Sequence, residues 1–220
     1  ISIFVLVLVT IMSEKLHRTA AALAGTVLLL LTGILNVNKA IKYVDFNTIG
    51  VLVGMMLFVA VIKHSGLFEY ISIKAAKMAK GNPWRIMVAF MFITAICSAF
   101  LDNVTTVLLM GPMTITIAKM MKIDPIPILL GQIVSSNIGG TMTMIGDPPN
   151  IMIGSAANFV FIDFIQNTGV ACLIGLLVSI FGMKVVYKKK LIADEKAIEE
   201  IMKLDEKKAI SDRKLMHISV

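Results

Sequence analysis

Three stretches of this chain, 20–35, 48–62 and 169–186, carry almost no polar face at all. A soluble core helix keeps a polar side turned to water. Runs like these are long enough to cross, or nearly cross, a ~30 Å hydrocarbon layer. Lipid offers backbone groups no hydrogen-bond partners, so a spanning chain of this kind must be helical. Composition agrees: 57% of the residues are hydrophobic and 16% charged, against roughly 45–50% and about 25% in soluble domains.

The first apolar run, 1–12, is short for a span and lacks the basic start and small-residue cleavage site of a signal peptide. The chain therefore reads as a piece of a longer protein, beginning in a truncated span and stopping before a natural terminus. Cys97 and Cys172 both lie in apolar segments and imply no disulfide framework or metal cluster. The net charge of +7 sits in loops and in the tail, as at the cytoplasmic flanks of membrane spans. No basic stripe alternates with aromatics, which excludes nucleic acid as a partner.

Seven apolar stretches follow from the pattern: 1–12, 19–35, 47–63, 84–100, 104–121, 126–156 and 167–186. Residues 64–83 are amphipathic and end in the loop signal Gly81, Asn82, Pro83, predicting a helix along the membrane surface. The expected organisation is 1–63 as N-terminal transmembrane helices, 64–83 as the interfacial helix and 84–121 as a re-entrant hairpin. Then come 122–186, a broken helix and a last transmembrane helix, and 187–220, a solvated cytoplasmic amphipathic segment. With the hairpin entering and leaving on one side, nineteen of the 21 basic residues are cytoplasmic and only Lys39 and Lys42 lie outside.

The hairpin's tip, 100–106, holds Asp102, Asn103, Thr105 and Thr106 where the backbone must be satisfied by protein or by a wet cavity. A second polar cluster, 135–150 (SSNIGGTMTMIGDPPN), interrupts the sixth stretch. Gly139, Gly140 and Gly146 permit unusual backbone conformations, and Pro148 and Pro149 suit a helix start rather than its continuation. The reading is a half-helix ending near Gly139 and another beginning at Pro148, with Asp147 as its N-cap. Exposed carbonyls and half-helix N-termini of such breaks form transporter ion sites.

Asp102 and Asp147 are the only acidic residues within these apolar stretches, and no Lys or Arg stands beside them. An intramembrane carboxylate costs roughly 2.5–3.5 kcal/mol and marks a functional site by default. A bound cation or a proton would compensate both. The plainer alternative makes both of them helix caps and no more. Thr105, Thr106, Thr141 and Thr143 are weaker candidates, since membrane threonines often bond back to their own helix. Asn103, Asn137 and Asn150 are stronger, because an unpaired amide is costly to bury. His17, His64 and Trp84 read as interfacial, and the scattered methionines as filling.

At the two clusters the sequence resembles the ArsB/NhaD permeases of the ion transporter superfamily, in the branch containing the melanosomal P protein. That superfamily also takes in SLC13-type and CitMHS-type carriers. The matching residues are 98–106 (SAFLDNVTT), 137–141 (NIGGT) and 145–150 (IGDPPN), together with 17–25 (HRTAAALAG). The resemblance implies an all-α membrane protein that is one half, the N-terminal one, of an inverted-repeat transporter with a re-entrant hairpin and a broken transmembrane helix. It implies Asp102, Asn103, Gly139 and Thr141 as sodium ligands and a partner half beyond Val220. Related dicarboxylate carriers have Ser-Asn-Thr at the tip, where this chain has Asp102, Asn103 and Val104.

The expected function is secondary active transport in a multi-pass plasma-membrane protein, with sodium or proton movement coupled to a second ion. The partners are the bilayer and a small inorganic or organic ion, with no cofactor beyond the coupling ion. A homodimer is compatible with the sequence. Sodium/proton antiport, export of an anion such as arsenite, and sodium-coupled di- or tricarboxylate uptake all fit. An intramembrane aspartyl protease would also bury two aspartates, but its Tyr-Asp and Gly-x-Gly-Asp signatures are missing, since Leu101 precedes Asp102 and Met144 stands three before Asp147. A passive interaction subunit is the remaining alternative.

Overall fold

The computed structural model describes residues 1–188, 191, 195–204 and 206–210. Among these the chain is helix and loop without a strand. It divides into two compact units, Ile1–Phe46 and Asn47–Val220. In the first, α1 (Ser2–Met12) packs against α2 (Arg18–Leu31), and a short α3 (Val37–Lys42) follows. No apolar run announces α3; it starts where the Asn36 side chain accepts the Lys39 N–H at 2.9 Å, an N-cap.

The second unit opens with α4 (Phe46–Ser65) and α5 (Leu67–Met78). α5 buries Phe68, Ser72, Ile73, Ala75 and Ala76, one face at helical spacing, against α6 (Pro83–Phe100) and α7 (Asn103–Met120). Asn82 caps α6 by accepting the Arg85 N–H at 3.1 Å, and Pro83 takes the first position, where its missing N–H costs nothing. α6 stops at Leu101, whose backbone is extended. Asp102 then caps α7, so only two non-helical residues separate the two arms.

α8 (Ile126–Met142) makes its most extensive contact with α6. It runs on through Gly139 and Gly140 rather than ending near Gly139 as expected, because the glycines there serve packing. A Cβ on Gly139 would collide with the Ala95 carbonyl oxygen, and one on Gly146 with the Gly140 oxygen. The chain breaks from Thr143 to Asp147, and α9 (Pro148–Ala157) starts on the paired prolines.

α10 (Phe161–Phe164), a π-turn (Ile165–Gly169) and α11 (Val170–Tyr187) form one continuous 27-residue helix. It starts six residues before the expected 167, since Asp163 accepts the Val160 N–H at 2.8 Å and fixes an earlier first turn. Asp163 therefore joins an apolar helix as a third acidic residue, at its end. Beyond it, α12 (Glu195–Met202) turns Ile201, fully buried, into the cluster formed by Ala76, Ile86, Ile117 and Met121. Leu191 and α12 are thus packed on an apolar side, as an amphipathic helix allows, while 189–190, 192–194, 205 and 211–220 lie outside the described residues.

Among the described residues, three helices are long and apolar enough to cross a membrane: Phe46–Ser65, Pro83–Phe100 and Phe161–Tyr187. They differ in surroundings. Half of the α6 window is buried by protein, against 17% and 11% for the other two. Leu173, Leu177, Phe181 and Val185 on α11 are each more than half exposed, a stripe that suits lipid or another membrane segment and not water.

Candidate functional site

The loop between α6 and α7 meets the broken end of α8. Asn103 donates from Nδ2 to Asn137 Oδ1 at 3.0 Å, and its own Oδ1 accepts the Val104 N–H at 2.7 Å. Asn137 in turn donates to the Ile133 carbonyl at 2.9 Å. Two amides that lie 34 positions apart are therefore joined directly. A buried second link lies beneath them, where Ser98 Oγ donates to the Ser136 carbonyl at 2.7 Å.

The two aspartates behave differently. Asp102 Oδ2 accepts both the Thr105 N–H at 2.8 Å and the Thr105 hydroxyl at 2.5 Å, so it caps α7. Asp147 holds the N-cap position of α9, but its side chain makes no capping bond, contrary to expectation. Its carboxylate is turned back on α8: a Cβ on Gly140 would stand 2.9 Å from Oδ2.

The carbonyls at the end of α8 have no following turn to donate to them. Asn150 Nδ2 approaches three at once, Thr143 at 2.9 Å, Gly140 at 3.3 Å and Thr141 at 3.5 Å. The Thr143 hydroxyl donates to the Ala99 carbonyl, pinning the break to the last turn of α6. Thr141 turns its hydroxyl back to Asn137 O at 2.9 Å, so it offers the site its carbonyl and not its side chain. Thr106 donates its N–H to the Asp102 carbonyl at 2.9 Å, and its fully buried hydroxyl has no hydrogen-bond partner.

A cavity of about 210 Å³ reaches Asp102 and Thr105, walled by Met55, Met56 and Val59 of α4 and by Pro148. Another of about 220 Å³ lies against Asn103, Ser136 and Asn137. No cluster of three His, Cys, Asp or Glu side chains exists among the described residues, so any cation here would depend on amide and carbonyl oxygens beside the carboxylates. Sodium is a hard ion and suits such oxygens.

Sequence reasoning did not single out Ser98, Ser136 or Thr168. Ser and Thr in membrane helices ordinarily bond within their own chain turn. Only the tertiary packing reveals that Ser98 reaches across to α8 and that Thr168 approaches its end.

The chain matches the family model described as "Citrate transporter", CitMHS, over residues 8–220. It is 36% identical over 222 residues to the "46 kDa membrane protein" of Mycobacterium leprae, with 98% of this chain and 51% of that protein covered. An uncharacterized transporter of Mycobacterium tuberculosis is 37% identical over 227 residues, again with 98% and 51% covered. The human P protein is 38% identical over 150 residues, 66% of this chain and 18% of that protein. The chain thus spans about half the length of the mycobacterial relatives. The family model described as a citrate transporter and the relative named a transporter set the protease reading aside. An all-α membrane chain with two polar backbone breaks joined through Asn103 and Asn137, matched by the family model along nearly its whole length, belongs to the citrate transporter family, CitMHS.

Proposed function

We propose that this chain is one half of a secondary active ion carrier in which sodium or protons, taken up between the α6–α7 tip and the α8–α9 break, drive the movement of a second ion. The observation that carries the reading is the Asn103–Asn137 bond at 3.0 Å, which brings two oxygen-rich backbone interruptions to one place beside Asp102. Asp102 uses one carboxylate oxygen for its cap, leaving Oδ1 for a cation or a proton. The carbonyls of Gly139 and Thr141, with Asn103, complete the ligand set that this reading assigns to sodium. Asp147, Asn150, Thr143, Gly140 and Gly146 shape the loop that presents those carbonyls.

The tip sits at membrane depth in this proposal, with α6 and α7 re-entrant. The distribution of basic residues holds equally for two full crossings, which also return the chain to its starting side. The support comes instead from the protein-enclosed α6 and from the polar tip. A partner half of inverted topology, a plasma-membrane location and a homodimer belong to the same proposal. So does membership of the P-protein-like branch of the ArsB/NhaD permeases, supported by Asp102 in the place where dicarboxylate carriers have Ser.

Citrate uptake is the second reading, favoured by the description of the matching family. Flux into proteoliposomes containing the full-length protein separates the two. Sodium, protons, arsenite, citrate and dicarboxylates are each supplied against an imposed sodium or pH gradient. The leading reading expects sodium/proton exchange or inorganic anion flux; gradient-driven citrate accumulation selects the second. Absence of any gradient-dependent flux overturns both in favour of a passive subunit.

A further inference from the structure

The π-turn Ile165–Gly169 interrupts an otherwise α-helical run of 27 residues. Such single turns recur at functional sites, because the extra residue rotates the following side chains by about a quarter turn relative to an α register. Here the turn lies against the end of α8. Thr168 Oγ1 donates to its own Phe164 carbonyl at 2.7 Å, with the Thr141 and Met142 carbonyls in reach at 3.2 and 3.3 Å. Asn167, beside it, donates to the Asp163 carbonyl at 2.7 Å. Thr168, Asn167, Thr141 and Asn137 line a cavity of about 460 Å³, and this helix shares with Asn150 one acceptor at the end of α8, the Thr141 carbonyl.

We propose that Thr168, delivered by the π-turn, is a positioning residue of the ion site, setting the direction of the Thr141 carbonyl that receives the coupling cation, with the Met142 carbonyl as its neighbouring acceptor. The proposal rests on the reading of the tip and break as a cation site. A hydroxyl has one hydrogen to donate, so Thr168 serves one of its three acceptors at a time. When it turns to Phe164 the α8 carbonyls are released toward a cation; when it turns to them they are held. A methyl in its place removes the choice, whereas serine keeps it.

The test measures thermal stability of the purified full-length protein against sodium chloride concentration, with choline chloride at equal ionic strength as control, and against pH. A ligand that binds the folded state alone raises stability in proportion to its occupancy. Wild type is expected to show a saturating dependence on sodium or on protons. Thr168→Val is expected to shift the half-saturating concentration by about threefold to tenfold, the size of one hydrogen bond's net contribution. Thr168→Ser is expected to restore the wild-type value. Should Thr168→Val fail to insert, Thr168→Ala is held to the same criterion. An unchanged half-saturating concentration with a lower melting temperature makes Thr168 a structural stitch only, and overturns this inference while leaving the site reading intact. A wild type indifferent to both sodium and pH overturns the site reading and this inference with it.

Discussion

Asp102 combines two roles that substitution can separate. Its carboxylate caps α7 through Thr105, and it carries the charge that the transport reading requires. Asparagine is a good N-cap, so Asp102→Asn is expected to insert normally and melt within about 0.5 kcal/mol of wild type while losing coupled flux in vesicles. Asp102→Ala removes the cap as well and should cost a further ~1 kcal/mol in a detergent melt. Normal ion-driven flux in the asparagine variant would leave Asp102 a cap and no more. Gly139→Ala tests packing, since its Cβ meets the Ala95 carbonyl. Overpacking of this kind should lower stability by about 1–3 kcal/mol in the same melt. Much of this was legible beforehand: two carboxylates and three amides inside apolar runs are expensive enough to stand out. What stayed hidden was direction. Nothing local distinguishes Asp147, which faces Gly140, from Asp102, which caps a helix, because both precede a helix start.

Among the elements, long apolar runs and proline or asparagine boundaries were readable, and α4, α6 and α7 begin or end within a few residues of their predicted limits. The elements that escaped are set by single polar contacts: α3 by Asn36, and the early start of the last helix by Asp163. The π-turn has no composition signal. The docking of α12 also escaped, since amphipathic spacing tells which side is apolar but not what covers it. That docking combines a fully buried Ile201 with a Lys77–Glu206 ion pair at 2.6 Å and a Lys77 bond to the Leu204 carbonyl at 3.0 Å. The two charged side chains are each 28% exposed, and such pairs contribute about 0–1 kcal/mol. Truncating a buried isoleucine costs about 2–5 kcal/mol. Ile201→Ala is therefore expected to open the segment after Tyr187 to trypsin much faster than Glu206→Gln does. Equal protection in both variants would mean that the apolar contact does not hold α12 in place.

For the whole molecule, the question left by helix length is whether the α6–α7 pair crosses the bilayer. Each arm has 18 residues, about 27 Å of helix, close to the ~30 Å needed. Length does not decide between entry and crossing, and the apolar pattern is the same for both. Labelling does. With a membrane-impermeant maleimide applied from outside, Lys39→Cys is expected to react and Val104→Cys, at the tip, to be protected. Equal reaction at both positions would make the pair two full spans. A mechanical consequence follows from the close approach of α6 and α8. At Gly139 and Gly146 main chain rests on main chain with no side-chain cushion between, so the tip and the break cannot slide past each other. In the proposed transport cycle, a displacement that carries cargo would move them as a single block. The compliance for that stroke then falls at the joints around it, where Gly66 and Lys122 already hold left-handed torsions at φ 78° and 56°, and stiffening those joints would slow the stroke while leaving cargo affinity untouched.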